Sequence, residues 1–186
     1  MKVHYDAWPS ILFFSYCNNY QCHSLFMSLA TPILFFDLTR SQCYPPFMRT
    51  IRKVFDFCAS HTLARPEWSR EKNFEVFGKC SNPNGHGHNY RLEVIIAGEV
   101  DSLTGMIMDA SKIAEVVNAK VIEDVDHRDL NRDVPWLEGR IPSAENFVDA
   151  IWDRIEPEIK SISPTSFLLK LKLWETRTIC ATRDAH

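Results

Sequence analysis

Alternating apolar and polar positions recur along residues 48–186 and predict four β-strands. The strands cover residues 52–61, 86–99, 167–175 and 179–182, and the last two are close enough along the chain to pair as a hairpin. Residues 106–108 are predicted as a short continuation of the second strand. The connection from residue 62 to residue 85 is predicted as a loop that ends in the turn sequence Asn84-Gly85.

Two further stretches have the spacing of amphipathic helices. The first covers residues 111–124, with Asp109 or Ser111 as its cap. The second begins at Ser143 and has an apolar stripe that runs from Phe147 to Ile159. The order of elements, two strands, two helices and two strands, predicts an α+β domain in which two helices cover one face of an antiparallel sheet.

Residues 1–47 differ from the rest of the chain. They contain four charged side chains and no glycine, and they show neither helical periodicity nor strand alternation. Residues 24–36 have the length of the apolar part of a secretory signal, but little positive charge precedes them and no small-residue cleavage site follows. We expect residues 1–47 to be a leader outside the fold, with Met48 as the working start and residues 48–186 as the domain.

Composition and charge exclude several classes of protein. The 186 residues have a formal net charge of −3, so a basic surface for nucleic acid or anionic membranes is not expected. No apolar run reaches the roughly 18 residues that a membrane-spanning helix needs. After the leader only Cys58, Cys80 and Cys180 remain, an odd number typical of a cytoplasmic protein without disulfides.

Three histidines have the arrangement of a metal site. His86 and His88 are two residues apart on one strand, so their side chains point the same way. His61 ends another predicted strand on its matching face. Three imidazoles with an open fourth position are the ligand set of a catalytic zinc ion. Ordinary hydrogen-bonded histidines remain the alternative at this stage.

Four other residues are candidates for chemistry. Cys80 lies six residues before His86, and a cysteine near a divalent ion can act as a base or nucleophile; an inert thiol is the alternative. Asp126 and His127 are adjacent and suit a proton shuttle, although such pairs also occur as plain loop residues. Glu175 continues an apolar strand face, where a guanidine-like edge of a pterin or guanine is a suitable partner; a strand end in solvent is the alternative.

Six blocks of this sequence together resemble the 6-pyruvoyl-tetrahydropterin synthase family, which includes the bacterial 6-carboxy-tetrahydropterin synthases of queuosine biosynthesis. The blocks are residues 57–61, 77–90, 105–109, 126–131, 143–146 and 174–176. The resemblance implies that His61, His86 and His88 hold Zn²⁺. It also implies proton transfer by Cys80, Asp126 and His127, a pterin anchor at Glu175 and a second pterin contact at Glu145. In the family, two residues with hydroxyl side chains precede the glutamate that corresponds to Glu145. Here these two positions are Ser143 and Ala144, so one hydroxyl is missing.

The family resemblance further implies the tunnelling fold, a four-stranded antiparallel sheet with two helices. Three such sheets close into a barrel, two trimers form a homohexamer, and the active sites lie between subunits. The implied substrate is 7,8-dihydroneopterin triphosphate, from which zinc, the cysteine and the Asp-His pair eliminate triphosphate without a nicotinamide cofactor.

Different parts of the sequence resemble family members that form different products. The five-residue gap between Cys80 and His86 resembles the pyruvoyl-forming type, whereas residues 142–146 resemble the queuosine type, which forms a carboxylate and releases acetaldehyde. We expect the pyruvoyl type and keep the queuosine type as the alternative. A third hypothesis is a zinc- or pterin-binding homologue without turnover.

Overall fold

The computed structural model describes residues 11–18, 21–28 and 48–185. The chain divides into two compact units, residues 1–48 and residues 49–186. In the first unit, strand β1 (Ile11–Asn18) pairs antiparallel with strand β2 (Gln21–Ser28). The missing alternation in this segment gave no indication of this strand pair. Its aromatic residues favour strands even where apolar and polar positions do not alternate. The assignment of residues 1–47 as a leader outside the domain stays a prediction.

The second unit is built on one sheet of five strands, which are β3 (Arg49–His61), β4 (His86–Gly98), β5 (Arg128–Asp129), β6 (Ser166–Trp174) and β7 (Cys180–Asp184). Their order in the sheet is β5-β3-β4-β6-β7. The four longer strands pair antiparallel, which confirms the predicted antiparallel sheet. Strand β5 has two residues and pairs parallel with β3 at the sheet edge.

The two predicted helices are present, and the first contains a π-helical turn. Helix α2 (Ala110–Val117) continues through a π-helical turn (Asn118–Ile122) into α3 (Glu123–Val125). Helix α4 spans Ala144–Ile162. The side chains of Asp109 and Ser143 accept hydrogen bonds from the first turns of α2 and α4, which makes them the N-caps.

Two local predictions were wrong. Helix α1 (Arg70–Phe77) lies where a loop was expected. The pattern did not reveal this helix because Asn73 is its sole buried residue and it has no apolar stripe. Residues 106–108 form no strand. The Met106 carbonyl accepts a hydrogen bond from the backbone N–H of Asp101, and the Ile107 carbonyl accepts one from the Ser166 hydroxyl. Short 3₁₀ turns at Gly78–Ser81 and Pro135–Leu137 complete the unit.

The core lies between the sheet and helices α2 and α4, as the alternation predicted. Tyr90, Leu92, Val94 and Ile96 of β4 are almost fully buried. They face α4, whose fully buried stripe contains Phe147, Ile151, Ile155 and Ile159. The same face of β4 continues towards its first residue, so side chains at that end lie at the rim of the core. Among the described residues, no helix is both long and apolar enough to cross a membrane.

Candidate metal centre and active site

The strand register brings the three histidines together. In the antiparallel pair of β3 and β4, His61 lies directly opposite His86, and Ala59 lies opposite His88. Because alternate residues of a strand share a face, all three imidazoles lie on the core side of the sheet. Their candidate ligand nitrogens lie within 4.8 Å of one another. The sequence-based prediction of the cluster agrees with this geometry.

The hydrogen bond of His61 to the backbone makes its other ring nitrogen the acceptor. Its Nδ1 lies 2.7 Å from the carbonyl oxygen of Pro142, just before the N-cap of α4. A carbonyl oxygen only accepts, so Nδ1 carries the proton and a neutral His61 has a bare Nε2. That Nε2 lies 3.1 Å from Nε2 of His86. A backbone carbonyl that fixes the tautomer in this way is the usual second-shell partner of a metal-binding histidine.

Two buried histidine nitrogens lack a hydrogen-bond partner within residues 48–185. They are Nδ1 of His86 and Nε2 of His88. Buried polar atoms without a partner are costly, and a cation bound by Nε2 of each ring accounts for the Nε2 of His88. Burial lowers the pKa of His61 and of His88, which keeps both imidazoles neutral and able to bind a metal near pH 7. The donor set therefore fits a zinc ion.

These lowered pKa values predict how acid affects the zinc-free protein. Below the ordinary histidine pKa of 6.5 the unfolded chain takes up protons that the folded His61 and His88 resist. The free energy of unfolding should therefore fall as the pH drops from 7.5 to 5.5. Urea unfolding in the presence of a chelator measures it, and His61→Asn should show a shallower pH dependence. Equal slopes in the two proteins would contradict the role of His61.

Glu175 lies next to this cluster. Its Oε1 is 3.4 Å from Nε2 of His61 and 3.7 Å from Nε2 of His88, and its side chain is 13% exposed. Glu175 follows directly after β6, and its backbone N–H donates to the carbonyl of Ile179 at the start of the return to β7. The carboxylate is thus held at the edge of the histidine cluster rather than in solvent.

Cys80 lies in the 3₁₀ turn Gly78–Ser81, between α1 and β4. Its carbonyl accepts a hydrogen bond from the backbone N–H of Leu63, two residues after His61. The turn is therefore fastened to the chain that leaves the histidine cluster. Within residues 48–185, the thiol of Cys80 is not among the groups that gather around Asp126 and His127.

Asp126 and His127 lie beside β3, with Cys58 as their neighbour. Asp126 Oδ1 lies 3.0 Å from Nδ1 of His127 and accepts a hydrogen bond of 2.9 Å from the backbone N–H of Cys58. That backbone hydrogen bond is the main reason why the pKa of Asp126 is lowered. Cys58 and His61 are three residues apart on one strand, so their side chains lie on opposite faces. A single chain therefore separates the Asp-His pair from the histidine cluster.

The remaining predicted residues lie at the start of α4. Ser143 uses its hydroxyl as the N-cap, 3.4 Å from the backbone N–H of Asn146. Glu145 is exposed in the first helical turn. The structure thus gives Ser143 a local structural task, and it leaves Glu145 accessible to a ligand.

The sequence analysis missed two contributors to these clusters. The carbonyl of Pro142 is a backbone group, and no side-chain pattern reveals its role. Cys58 sits at an outward position of an alternating strand, where a thiol is unremarkable until Asp126 folds against it. The only feature of the sequence that pointed to Cys58 was its position three residues before His61, a predicted metal ligand.

Comparison with known proteins places the chain in a family. The family model described as 6-pyruvoyl tetrahydropterin synthase matches residues 50–186. The chain belongs to this 6-pyruvoyl tetrahydropterin synthase family. A 6-pyruvoyl tetrahydrobiopterin synthase of Pongo abelii is 38% identical over 126 residues, which are 68% of this chain and 84% of that protein.

Two further proteins are similar to this chain. The solved structure of Caenorhabditis elegans 6-pyruvoyl tetrahydropterin synthase superposes with a TM-score of 0.67 at 34% identity, covering 75% of this chain and 96% of that one. The dihydroneopterin monophosphate aldolase of Pyrococcus furiosus is 37% identical over 120 residues, 64% of this chain and 82% of that protein. The predicted fold class and family are confirmed.

Proposed function

We propose that this chain is a zinc-dependent 6-pyruvoyl-tetrahydropterin synthase that converts 7,8-dihydroneopterin triphosphate to 6-pyruvoyl-tetrahydropterin and triphosphate. The observation that carries the proposal is the cluster of three imidazoles, with His61 buried and His86 and His88 half-buried, and with Glu175 at its edge. Relatives that are named as this synthase support the same chemistry. One of them, the Pongo abelii protein, is 38% identical to this chain.

His61, His86 and His88 are the proposed zinc ligands. Zinc bound there supplies Lewis-acid polarisation of the substrate's side-chain hydroxyls, which lowers their pKa. Pro142 orients His61 through its carbonyl, and burial keeps the ring neutral. Three protein ligands leave a coordination position for substrate, as catalytic zinc sites do.

Glu175 is the proposed anchor of the pterin ring. Its carboxylate accepts hydrogen bonds from the two adjacent N–H groups of the pterin, a charge-assisted pairing that fixes the ring's orientation. With the ring fixed at Glu175, the three-carbon side chain of the substrate extends towards the histidines. Glu145, exposed at the start of α4, is the proposed second pterin contact, with Ser143 holding the helix end beside it.

Cys80, Asp126 and His127 are the proposed proton-transfer set. The thiolate of Cys80 takes a carbon-bound proton from the substrate side chain, and His127, held by Asp126, carries protons to and from oxygen. Loss of triphosphate and tautomerisation then reduce the pyrazine ring without an external hydride donor. Because one chain keeps Asp126 and His127 apart from the histidine cluster, we propose that a neighbouring copy in a homohexamer completes each active site.

A 6-carboxy-tetrahydropterin synthase is the second candidate. It is favoured by residues 142–146, which resemble that branch and in which the carbonyl of Pro142 contacts His61. This enzyme uses the same binding groups but cleaves the side chain with uptake of one water molecule, so acetaldehyde is released in addition to triphosphate and the 6-carboxy product. A homologue that binds zinc or pterin without turnover is a weaker candidate, since a binder needs no proton-transfer set.

The proposed location is the cytoplasm. Cys58, Cys80 and Cys180 are free thiols in the part of the chain that the structure describes. A thiol acting as a base at Cys80 has to stay reduced, and reducing compartments keep it so.

Replacing Glu175 by glutamine tests the proposed pterin anchor. The amide keeps the shape of the side chain but loses the anion, so kcat/KM for the dihydropterin should fall roughly 10- to 100-fold. Zinc content should not change. Glu99→Gln, at an exposed carboxylate just after β4, is the matched control. If Glu175→Gln loses zinc instead, Glu175 is a metal ligand and its assignment as the anchor is wrong.

A further inference from the structure

A second group of metal-binding side chains lies on the other side of β3. Cys58, Asp126 and His127 each offer a ligand atom, and these atoms lie within 4.8 Å of one another. None of them belongs to the histidine cluster. Cys58 points to the opposite face of the strand from His61, so the two groups are separate sites within one chain.

The backbone of Cys58 fixes both of its neighbours. Its N–H donates to Asp126 Oδ1 over 2.9 Å, and its carbonyl accepts from the backbone N–H of His127 over 2.6 Å. These bonds hold the carboxylate and the imidazole beside the thiol before any ligand arrives. Ligands held in place by hydrogen bonds from a rigid strand are what a metal site requires.

The conformation of His127 also points to a site. Its φ is +59°, and among the described residues it is the one non-glycine residue in the left-handed region. An L-residue in this region is strained, and such strain tends to persist at functional positions. Here the turn directs the imidazole back to Asp126, with Nδ1 3.0 Å from Oδ1.

The group is accessible and its surroundings suit a cation. It borders an open cleft of about 460 Å³ that is lined by Cys58, His127, Arg128, Asp129 and Asp133, among others. Two acidic residues, Asp129 and Asp133, and one basic residue, Arg128, line this cleft, and Asp126 lies next to His127 beside it. The side chain of His127 is 79% exposed in the single chain, so its own chain does not block an ion from the imidazole.

We propose that Cys58, Asp126 and His127 form a second binding site, for a thiophilic divalent cation of the Zn²⁺, Co²⁺ and Cd²⁺ class. A thiolate, an imidazole and a carboxylate are a ligand set that zinc and its analogues accept, with solvent in the fourth position. Binding replaces the thiol proton of Cys58, which leaves to solvent, and replaces the contact between His127 and Asp126.

Occupancy of this site has a consequence that rests on the proposed function. The same imidazole that binds the second ion is the one proposed to carry protons during turnover. Excess metal should therefore inhibit the zinc-loaded enzyme, and removing the thiol of Cys58 should relieve that inhibition. The binding experiment below needs no turnover, so its outcome is separate from the outcome of the proposed function.

Titration of the full chain with Co²⁺ tests the second site. Cobalt bound by three histidines has no thiolate ligand, so thiolate-to-cobalt charge-transfer absorption reports a cysteine site alone. We expect wild type to bind one more Co²⁺ than Cys58→Ser and to show near-ultraviolet absorption that this variant lacks. The difference between the two proteins is the readout, because Cys17, Cys22 and Cys43 also belong to the full chain.

Two variants complete the test. Cys180→Ser, a matched change at another half-buried thiol, should behave as wild type. His127→Asn removes the imidazole at a position where asparagine tolerates the positive φ, and it should weaken the second equivalent without disturbing the fold. Equal Co²⁺ stoichiometry and equal charge-transfer absorption in wild type and Cys58→Ser would overturn the proposal. So would an unchanged second equivalent in His127→Asn.

Discussion

Replacing His86 by alanine is expected to lower the zinc affinity of the chain by more than about 100-fold. Loss of a residue that only hydrogen-bonds to a metal ligand already lowers metal affinity by roughly 10- to 100-fold, and loss of a ligand itself should cost more. Turnover should fall to background with it. His86 faces His61 directly across the strand pair, with 3.1 Å between their Nε2 atoms, so its removal opens the middle of the cluster. Zinc content after dialysis, measured by atomic spectroscopy alongside turnover, checks both effects.

The control for His86→Ala lies on the same strand. Asn89 is exposed and points away from the face that bears the histidines, so Asn89→Ala should keep its zinc and its turnover. Full zinc retention in His86→Ala would show that this cluster is not the metal site. Loss of zinc in both variants would show that the strand, and not the imidazole, is being disturbed.

Replacing Cys80 by alanine is expected to lower kcat by roughly 10²- to 10⁴-fold, the contribution typical of a positioned general base. Zinc content should stay at the wild-type level, since the thiol is not part of the histidine cluster. This combination separates a catalytic cysteine from a structural one. Turnover of 7,8-dihydroneopterin triphosphate under anaerobic conditions, with zinc measured on the same sample, provides both values.

Cys180 gives the matched control for Cys80. Burial raises the pKa of the Cys180 thiol, which disfavours the thiolate, so Cys180→Ala should turn over as wild type does. Wild-type kcat in Cys80→Ala would contradict the proton-transfer role. If wild type itself showed no turnover, the hypothesis of a zinc- or pterin-binding homologue would gain instead.

The sequence predicted the parts of the fold that bury a continuous apolar face. Strand β4 alternates along nearly its whole length, and α4 repeats its apolar residues at helical spacing, so both were placed correctly. Helix α1 was missed because it packs through Asn73, whose amide bonds to the carbonyls of Arg65, Trp68 and Ser69 rather than to an apolar stripe. Strand β5 has two residues, too few for any periodicity.

The candidate site was predictable where chemistry depends on side-chain type and strand register. His86 and His88 share a face by alternation, and His61 joins them through pairing of the two strands. The carbonyl of Pro142 was not predictable, because a backbone acceptor leaves no trace in the residue type. The proposed meeting of Cys80 with Asp126 and His127 involves a second chain, and alternation within one chain does not encode such a contact.

The most direct test of the account is anaerobic turnover by the zinc-loaded full chain of 7,8-dihydroneopterin triphosphate, with products identified by mass spectrometry and acetaldehyde assayed in parallel. The account predicts 6-pyruvoyl-tetrahydropterin and triphosphate without acetaldehyde, and loss of this activity when zinc is removed by a chelator. A 6-carboxy product with acetaldehyde would replace the pyruvoyl assignment by the queuosine type. No product from zinc-loaded protein would contradict both.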